Sequence, residues 1–411
     1  MITRRDFMVS GITATGTGII VPPIFAQSVF AATVEDIHND HVLVVLQLGG
    51  GNDGLNTVIP YADPAYLQAR PTIGIPADKV LPLNAGVGLN PVMPGIKKLF
   101  DAGEAAVVQG VGYPNPVYSH FEGLYIWEHA DPAMRQTEGW LGKLLASHLD
   151  AQGHPLTGCA LGQPSTPAEL LAQNATVSVI DSIPGYQVEG GTGRRVAAPA
   201  LYRRTPGIYG ALFDQALTTA EYGIAALADS QNRYKPSVVY TPQSTVYGSK
   251  NSLATSLQLT AEMIVTQPSV KICHVVLGGF DTHQDEDTRQ NALLAYMDSA
   301  VSAFMQDIDN HGMADRVVLM TWSEFGRRVA ENGGKGTDHG AAAPVFVIGK
   351  PVNGGVFGEQ PSLTTTVDSG NLRYNVDFRS VYQSLIRDWL EADPVSVLGA
   401  SFPELPIIRT V

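Results

Sequence analysis

The chain has 411 residues, 44% of them hydrophobic and 16% charged, and a formal net charge of -13. That length suits one large or two ordinary domains, and that hydrophobic share argues against wholesale disorder. With no basic excess to displace counterions, nucleic acid is excluded as the expected partner.

The first residues read as a targeting segment. Thr3-Arg4-Arg5-Asp6-Phe7-Met8 has a twin-arginine pattern, and an uncharged stretch follows from Val9 to Phe25. Small residues near Ala31-Ala32 offer a cleavage site. The stretch is short, Gly-rich and broken by Pro22-Pro23, so cleavage fits better than a retained anchor. Residues 1–31 are therefore expected to be a signal peptide read by the twin-arginine export machinery. The remainder, 32–411, is expected to be periplasmic or extracellular, with no integral membrane segment left.

Residues 41–48 (HVLVVLQL) predict a strand that runs into Gly49-Gly-Gly-Asn-Asp-Gly54. A helix is expected over 91–102, and a strand over 105–111 leads into a loop ending in Ser119-His120. Helical patterns follow from Phe121 and over 140–149. Residues 157–162 and 175–180 are weaker strand candidates, and 209–228 has helical composition. Residues 234–249, rich in Pro, Ser, Thr and Tyr, read as an excursion or lid. A helix over 252–265 precedes the strand 272–277, which ends at Gly278-Gly279 and releases Asp281, His283, Asp285 and Asp287. An amphipathic helix is expected over 292–308, strands over 316–322 and 344–348, and a closing helix over 378–390. Apolar strands alternating with helices predict one α/β domain, a three-layer sandwich around a mixed, mainly parallel sheet. Cys159 and Cys273 are open between one disulfide and two buried thiols.

In open α/β sheets, ligands bind where strands deliver their carboxyl ends. Five such places carry reactive side chains: Asn52 and Asp53; Ser119 and His120; Asp281 and His283; Glu324 with Arg327 and Arg328; and Asp338 with His339. If they share one edge, they supply what metal hydrolysis of an anionic ester needs. Carboxylates and imidazoles fix the ion, and guanidiniums offset the ester's charge. Each has a plainer reading. Asn-Asp-Gly is good turn chemistry for Asp53. Ser119 with Glu122 could form a capping box. Glu324 could pair with Arg327 at the surface, and His120 stands open between ligand and core residue. Of the two arginines, one is expected inward and one in solvent. His129, His148, His154 and His311 read as structural. No P-loop, GxGxxG after a strand, or Gly-x-Ser-x-Gly elbow occurs.

Taken together, Leu48-Gly-Gly-Gly-Asn-Asp-Gly-Leu-Asn56, Ser119-His-Phe-Glu122, Gly139-Trp-Leu-Gly142, Gly279-Phe-Asp-Thr-His283, Thr321-Trp-Ser-Glu-Phe-Gly-Arg327 and Gly336-Thr-Asp-His-Gly340 resemble the exported proteins of the domain of unknown function 1501 family. That family is similar to the alkaline phosphatase and sulfatase superfamily. The resemblance implies an alkaline-phosphatase-like fold with one or more divalent ions, zinc, manganese, calcium or magnesium, at the carboxyl edge of the sheet. It carries over Asp53, Asp281, His283, Glu324 and His339 as metal ligands, with Ser119 as nucleophile and Arg327, beside Arg328, on the anion. The implied activity is hydrolysis of a phosphate or related ester, small or polymer-borne, by a metal-activated serine or water. The sequence departs from the superfamily in three places. Asp53 sits several residues past its strand, Asp281 and His283 are closely spaced, and Ser323-Glu324 replaces an expected Asp-His pair. A non-catalytic periplasmic or surface binding protein on the same fold is the alternative; an oxidoreductase lacks any cofactor motif.

Overall fold

The computed structural model describes residues 19–20, 40–149, 156–173, 175, 177–182, most of 223–242, 252–368 and 370–409. The signal segment lies outside them except for Ile19–Ile20, as do His154, most of the 209–228 helix and the far part of the 234–249 excursion.

The strands of the central sheet are β1 (Val42–Gly49), β2 (Ala105–Gly112), β3 (Gly158–Leu161), β4 (Val177–Ile180), β5 (Ile272–Gly278), β6 (Val317–Trp322), β7 (Ala343–Ile348), β8 (Gly355–Phe357) and β9 (Val376–Asp377). Their spatial order is β4-β3-β5-β1-β6-β7-β2-β8, with β9 also on β2 and Ile19–Ile20 antiparallel to β4 at the edge. The pairs from β4 to β6 are parallel, as are the pairs of β8 and β9 with β2. β7 alone, among β1–β9, runs against its neighbours. The expected mixed, mainly parallel sheet is therefore present.

The centre of this sheet is apolar on both faces, as a covered parallel sheet requires. Val42, Val44 and Leu46 of β1 face one layer, with α1 (Pro94–Asp101), α4 (Leu253–Thr266) and α5 (Glu286–Asn310). Leu43 and Val45 face the other, with α2 (His120–His129), α3 (Trp140–Leu144) and α6 (Phe378–Ser384). Alternation along β1 thus divides the core into two layers. Cys159 and Cys273 are register partners on β3 and β5, both buried free thiols.

Several elements differ from expectation. Helix α5 begins at Glu286, six residues before the apolar periodicity that suggested 292; Glu286 and Asp287 suit a helix N-terminus. The helices at 140 and 378 pass into wider π turns, at Leu145–Leu149 and Leu385–Trp389. The described part of the 234–249 stretch is pinned down: Tyr234, Ser237 and Tyr240 all donate to the buried Asp307 carboxylate on α5. Among the described residues, no helix is long and apolar enough to cross a membrane.

Candidate metal centre

Because β1, β2, β5 and β6 run the same way, the loops after them lie along one edge of the sheet. The loop 323–342 leaves β6 and returns into β7 at that same edge, which is why β7 is antiparallel. The loops meet closely. Gly50 and Gly51 have φ of +120° and +79°, and a Cβ added at Gly50 would lie 2.4 Å from the backbone nitrogen of Asp281. Only glycine allows that approach.

At the meeting point stand His120, Asp281, His283 and His339. Oδ1 of Asp281 is 3.1 Å from Nε2 of His283 and 3.2 Å from Nε2 of His339. Oδ2 of Asp281 is 3.6 Å from Nε2 of His120. The two nitrogens of His283 and His339 are 3.0 Å apart. One ligand atom each from His120, Asp281 and His339 lies within 4.8 Å of the others.

Every imidazole has its far nitrogen occupied. Nδ1 of His339 is 2.7 Å from the Tyr118 carbonyl, Nδ1 of His120 is 2.8 Å from Oε1 of Glu324, and Nδ1 of His283 is 3.3 Å from Oδ1 of Asp338. A carbonyl or carboxylate can only accept, so each Nδ1 carries the proton. In a neutral ring, each Nε2 then presents a lone pair toward Asp281. Histidine metal ligands are oriented by this outer arrangement.

The titration behaviour follows from the contacts. Burial lowers His339 and outweighs its hydrogen bonds. The hydrogen bond to Glu324 raises His120. Burial pushes Asp281 upward, but Arg327, His339 and His283 together hold it at about 2.

Three expected roles are placed elsewhere. Asp53 is fully buried, with both oxygens held by the Arg70 guanidinium, and it caps the helical turn Gly54–Thr57 through Leu55. It stands outside the cluster because that buried guanidinium neutralises it. Glu324 lies behind His120: Oε1 takes the Gly50 N–H at 2.8 Å as well as the His120 ring, and Oε2 faces Ser323. Arg327 is fully buried and donates to the carbonyls of Gly50, Gly51, Phe280 and Thr337 and to Oδ1 of Asp281. With those donors committed, it clamps three loops and has no fork to offer an anion.

Ser119 sits at the N-cap position of α2, half-buried, in extended conformation. Its side chain makes no capping bond, so the plainer reading, a capping box with Glu122, does not hold. Arg328 is half-buried, and its Nε is enclosed without a partner. Its charge lies near Tyr118 and Asp338. His120 belongs to the cluster; its signal in the sequence was its place beside Ser119 at a strand-to-helix turn. His129 and His311 bond to backbone carbonyls of their own helices, and His148 to serines.

The donor set fits a divalent ion. Imidazole nitrogen with one carboxylate suits zinc and its first-row neighbours better than calcium or magnesium, which prefer all-oxygen sites.

No curated protein matches the chain. Solved structures similar to it include a protein in the alkaline phosphatase superfamily from Vibrio parahaemolyticus, at 10% identity and a TM-score of 0.37, covering 78% of this chain and 62% of that one. The chain thus spans less than two thirds of that neighbour. The PsFucS1 sulfatase from Pseudoalteromonas sp. is 13% identical over 85% of this chain and 68% of its own, with a TM-score of 0.39. The C-terminal periplasmic domain of EcEptC from Escherichia coli, in complex with Zn, is 11% identical over 77% and 75%, with a TM-score of 0.36. Residues 214–378 match the model of the family described as "Protein of unknown function (DUF1501)". That span holds Asp281, His283, Glu324, Arg327 and His339, and over it the resemblance to the DUF1501 family is shown.

Proposed function

We propose that this protein is an exported hydrolase of a phosphate or related anionic ester, working with a divalent metal ion held by His120, Asp281 and His339, with His283 beside them. The observation that carries the reading is the set of imidazoles whose Nδ1 atoms are all occupied and whose Nε2 atoms converge on one carboxylate. These Nε2 atoms can meet the Asp281 carboxylate through a proton or through a metal ion, and one ion held among them would satisfy all of them at once. An ion there would supply Lewis acidity and a nucleophile at neutral pH.

The remaining roles fall to residues at the rim. Ser119 has an uncommitted hydroxyl next to His120 and would attack the ester or, if water attacks instead, bind it. The free N–H groups at the start of α2 favour an anion. Arg328 takes the part once open to both arginines, since Arg327 is spent on the protein. The residue is only half-buried, and its guanidinium suits an ester oxyanion. Export is supported by Arg4-Arg5 and the uncharged run that follows.

The test is a screen of p-nitrophenyl phosphate, bis(p-nitrophenyl) phosphate and p-nitrophenyl sulfate, each with zinc, manganese, calcium or magnesium. Hydrolysis that disappears in Asp281→Asn and His339→Ala supports the proposal. Turnover indifferent to both variants, or none under any condition, would contradict it.

A further inference from the structure

Beneath the metal centre, two buried carboxyl groups meet over one guanidinium. Asp53, from the loop after β1, and Glu286, the first residue of α5, are both 0% exposed. Arg70 occupies both oxygens of Asp53. Oε2 of Glu286 accepts the Thr337 hydroxyl at 2.5 Å. Gln290, one turn further along α5, donates to the Asp53 carbonyl, so this face of the helix packs against Asp53, and Oε1 of Glu286 is enclosed there without a partner.

The surrounding charges do not balance two carboxylates. Arg327 acts on Asp53 from a distance, but its charge is already matched by Asp281. Tyr66 also faces the pair, and burial keeps its phenol neutral, at about 12. One cation therefore serves two acids. Two carboxylates cannot hydrogen-bond to each other without a proton, and burial makes a second negative charge costly.

We propose that Asp53 and Glu286 share a single proton, and that this proton fastens the loop carrying His339 to the loop that follows β1. Glu286 acts as a positioning residue. It holds Thr337, whose carbonyl accepts from Arg327 and whose N–H donates to the carbonyl of Thr282, beside Asp281. Asp53 anchors the other end, next to the Gly50–Gly51 carbonyls that grip the same arginine. That the fastened loop carries a metal ligand, His339, rests on the proposed function; the shared proton does not.

Burial and the Asp53 charge raise Glu286 from 4.5 to about 9. The folded protein then keeps a proton that the unfolded chain releases, so this group's contribution to stability falls as pH rises between those values. Melting of metal-free wild type, Glu286→Gln and Glu286→Ala across about pH 5 to about pH 8 tests the pair. The wild-type Tm should fall relative to Glu286→Gln by roughly 5 °C over that range. In parallel, hydrogen exchange of the 336–340 amides should be at least about tenfold faster in Glu286→Ala than in Glu286→Gln or wild type. Parallel melting profiles for wild type and Glu286→Gln would overturn the shared proton. Equal exchange in all three would overturn the fastening. If Glu286→Ala does not fold, the Glu286→Gln profile decides. Neither readout needs an ion, so finding no metal in the protein would count against the proposed function and leave this pair intact.

Discussion

Nη2 of Arg327 lies 2.8 Å from Oδ1 of Asp281, and this contact assigns the guanidinium to the protein instead of to a substrate. Arg327 is buried among four carbonyls. Arg327→Ala leaves those acceptors and Asp281 without their partner. A buried acceptor left without its donor typically costs about 1–3 kcal/mol, and urea unfolding should show a clear loss of stability. Arg327→Lys should recover little, because an ammonium cannot reproduce the fork.

Arg328 should behave in the opposite way. It is half-buried, and its side chain lacks the set of buried carbonyl acceptors that holds Arg327. Arg328→Ala is expected to keep Tm close to wild type while raising KM for a cleaved anionic ester by about tenfold or more, through loss of a charge-assisted contact. A KM indifferent to this change would remove Arg328 from the site.

Glu324 supports His120 from behind, 2.8 Å from Nδ1. Outer partners of metal-bound histidines typically contribute about 10–100-fold in affinity. Glu324→Gln should weaken metal binding by that order without removing the ion at saturating concentration. Complete loss would instead make Glu324 a ligand.

Acid should reach the cluster through Asp281. Its carboxyl is held at about 2 in the folded protein, against 3.8 ordinarily, by Arg327, His339 and His283 acting against burial. A depressed carboxyl contributes stability above its unfolded pKa and loses it as pH falls through the folded one. Metal-free wild type should therefore lose part of its stability between about pH 4 and about pH 2. Asp281→Asn should lack that component, and chemical denaturation at stepped pH measures the difference.

Much of this molecule was legible in the chain. The runs ending at Gly49, Gly112, Gly278 and Trp322 mark strands that share one edge, and the reactive residues sit just beyond them. Which carboxylate does what was less legible, because it depends on partners distant in sequence. Asp53 is neutralised by Arg70, the residue that ends the short helix Pro64–Ala69. Glu324 meets His120, 204 positions away. Nothing local distinguishes an aspartate facing a guanidinium from one facing an ion. The reversed β7 was open to inference, since 323–342 contains no helix to cross the sheet. The start of α5 was not, because its first six residues are polar on every side.

The most direct measurement is the metal content of the mature protein, purified without chelators or a histidine tag, beside the His120→Ala/Asp281→Ala/His339→Ala variant. The account predicts about one divalent ion per chain in the wild type, with zinc or a first-row neighbour preferred, and none in the variant. A folded wild type that takes up no divalent ion, or a folded variant that keeps it, would contradict the proposed centre.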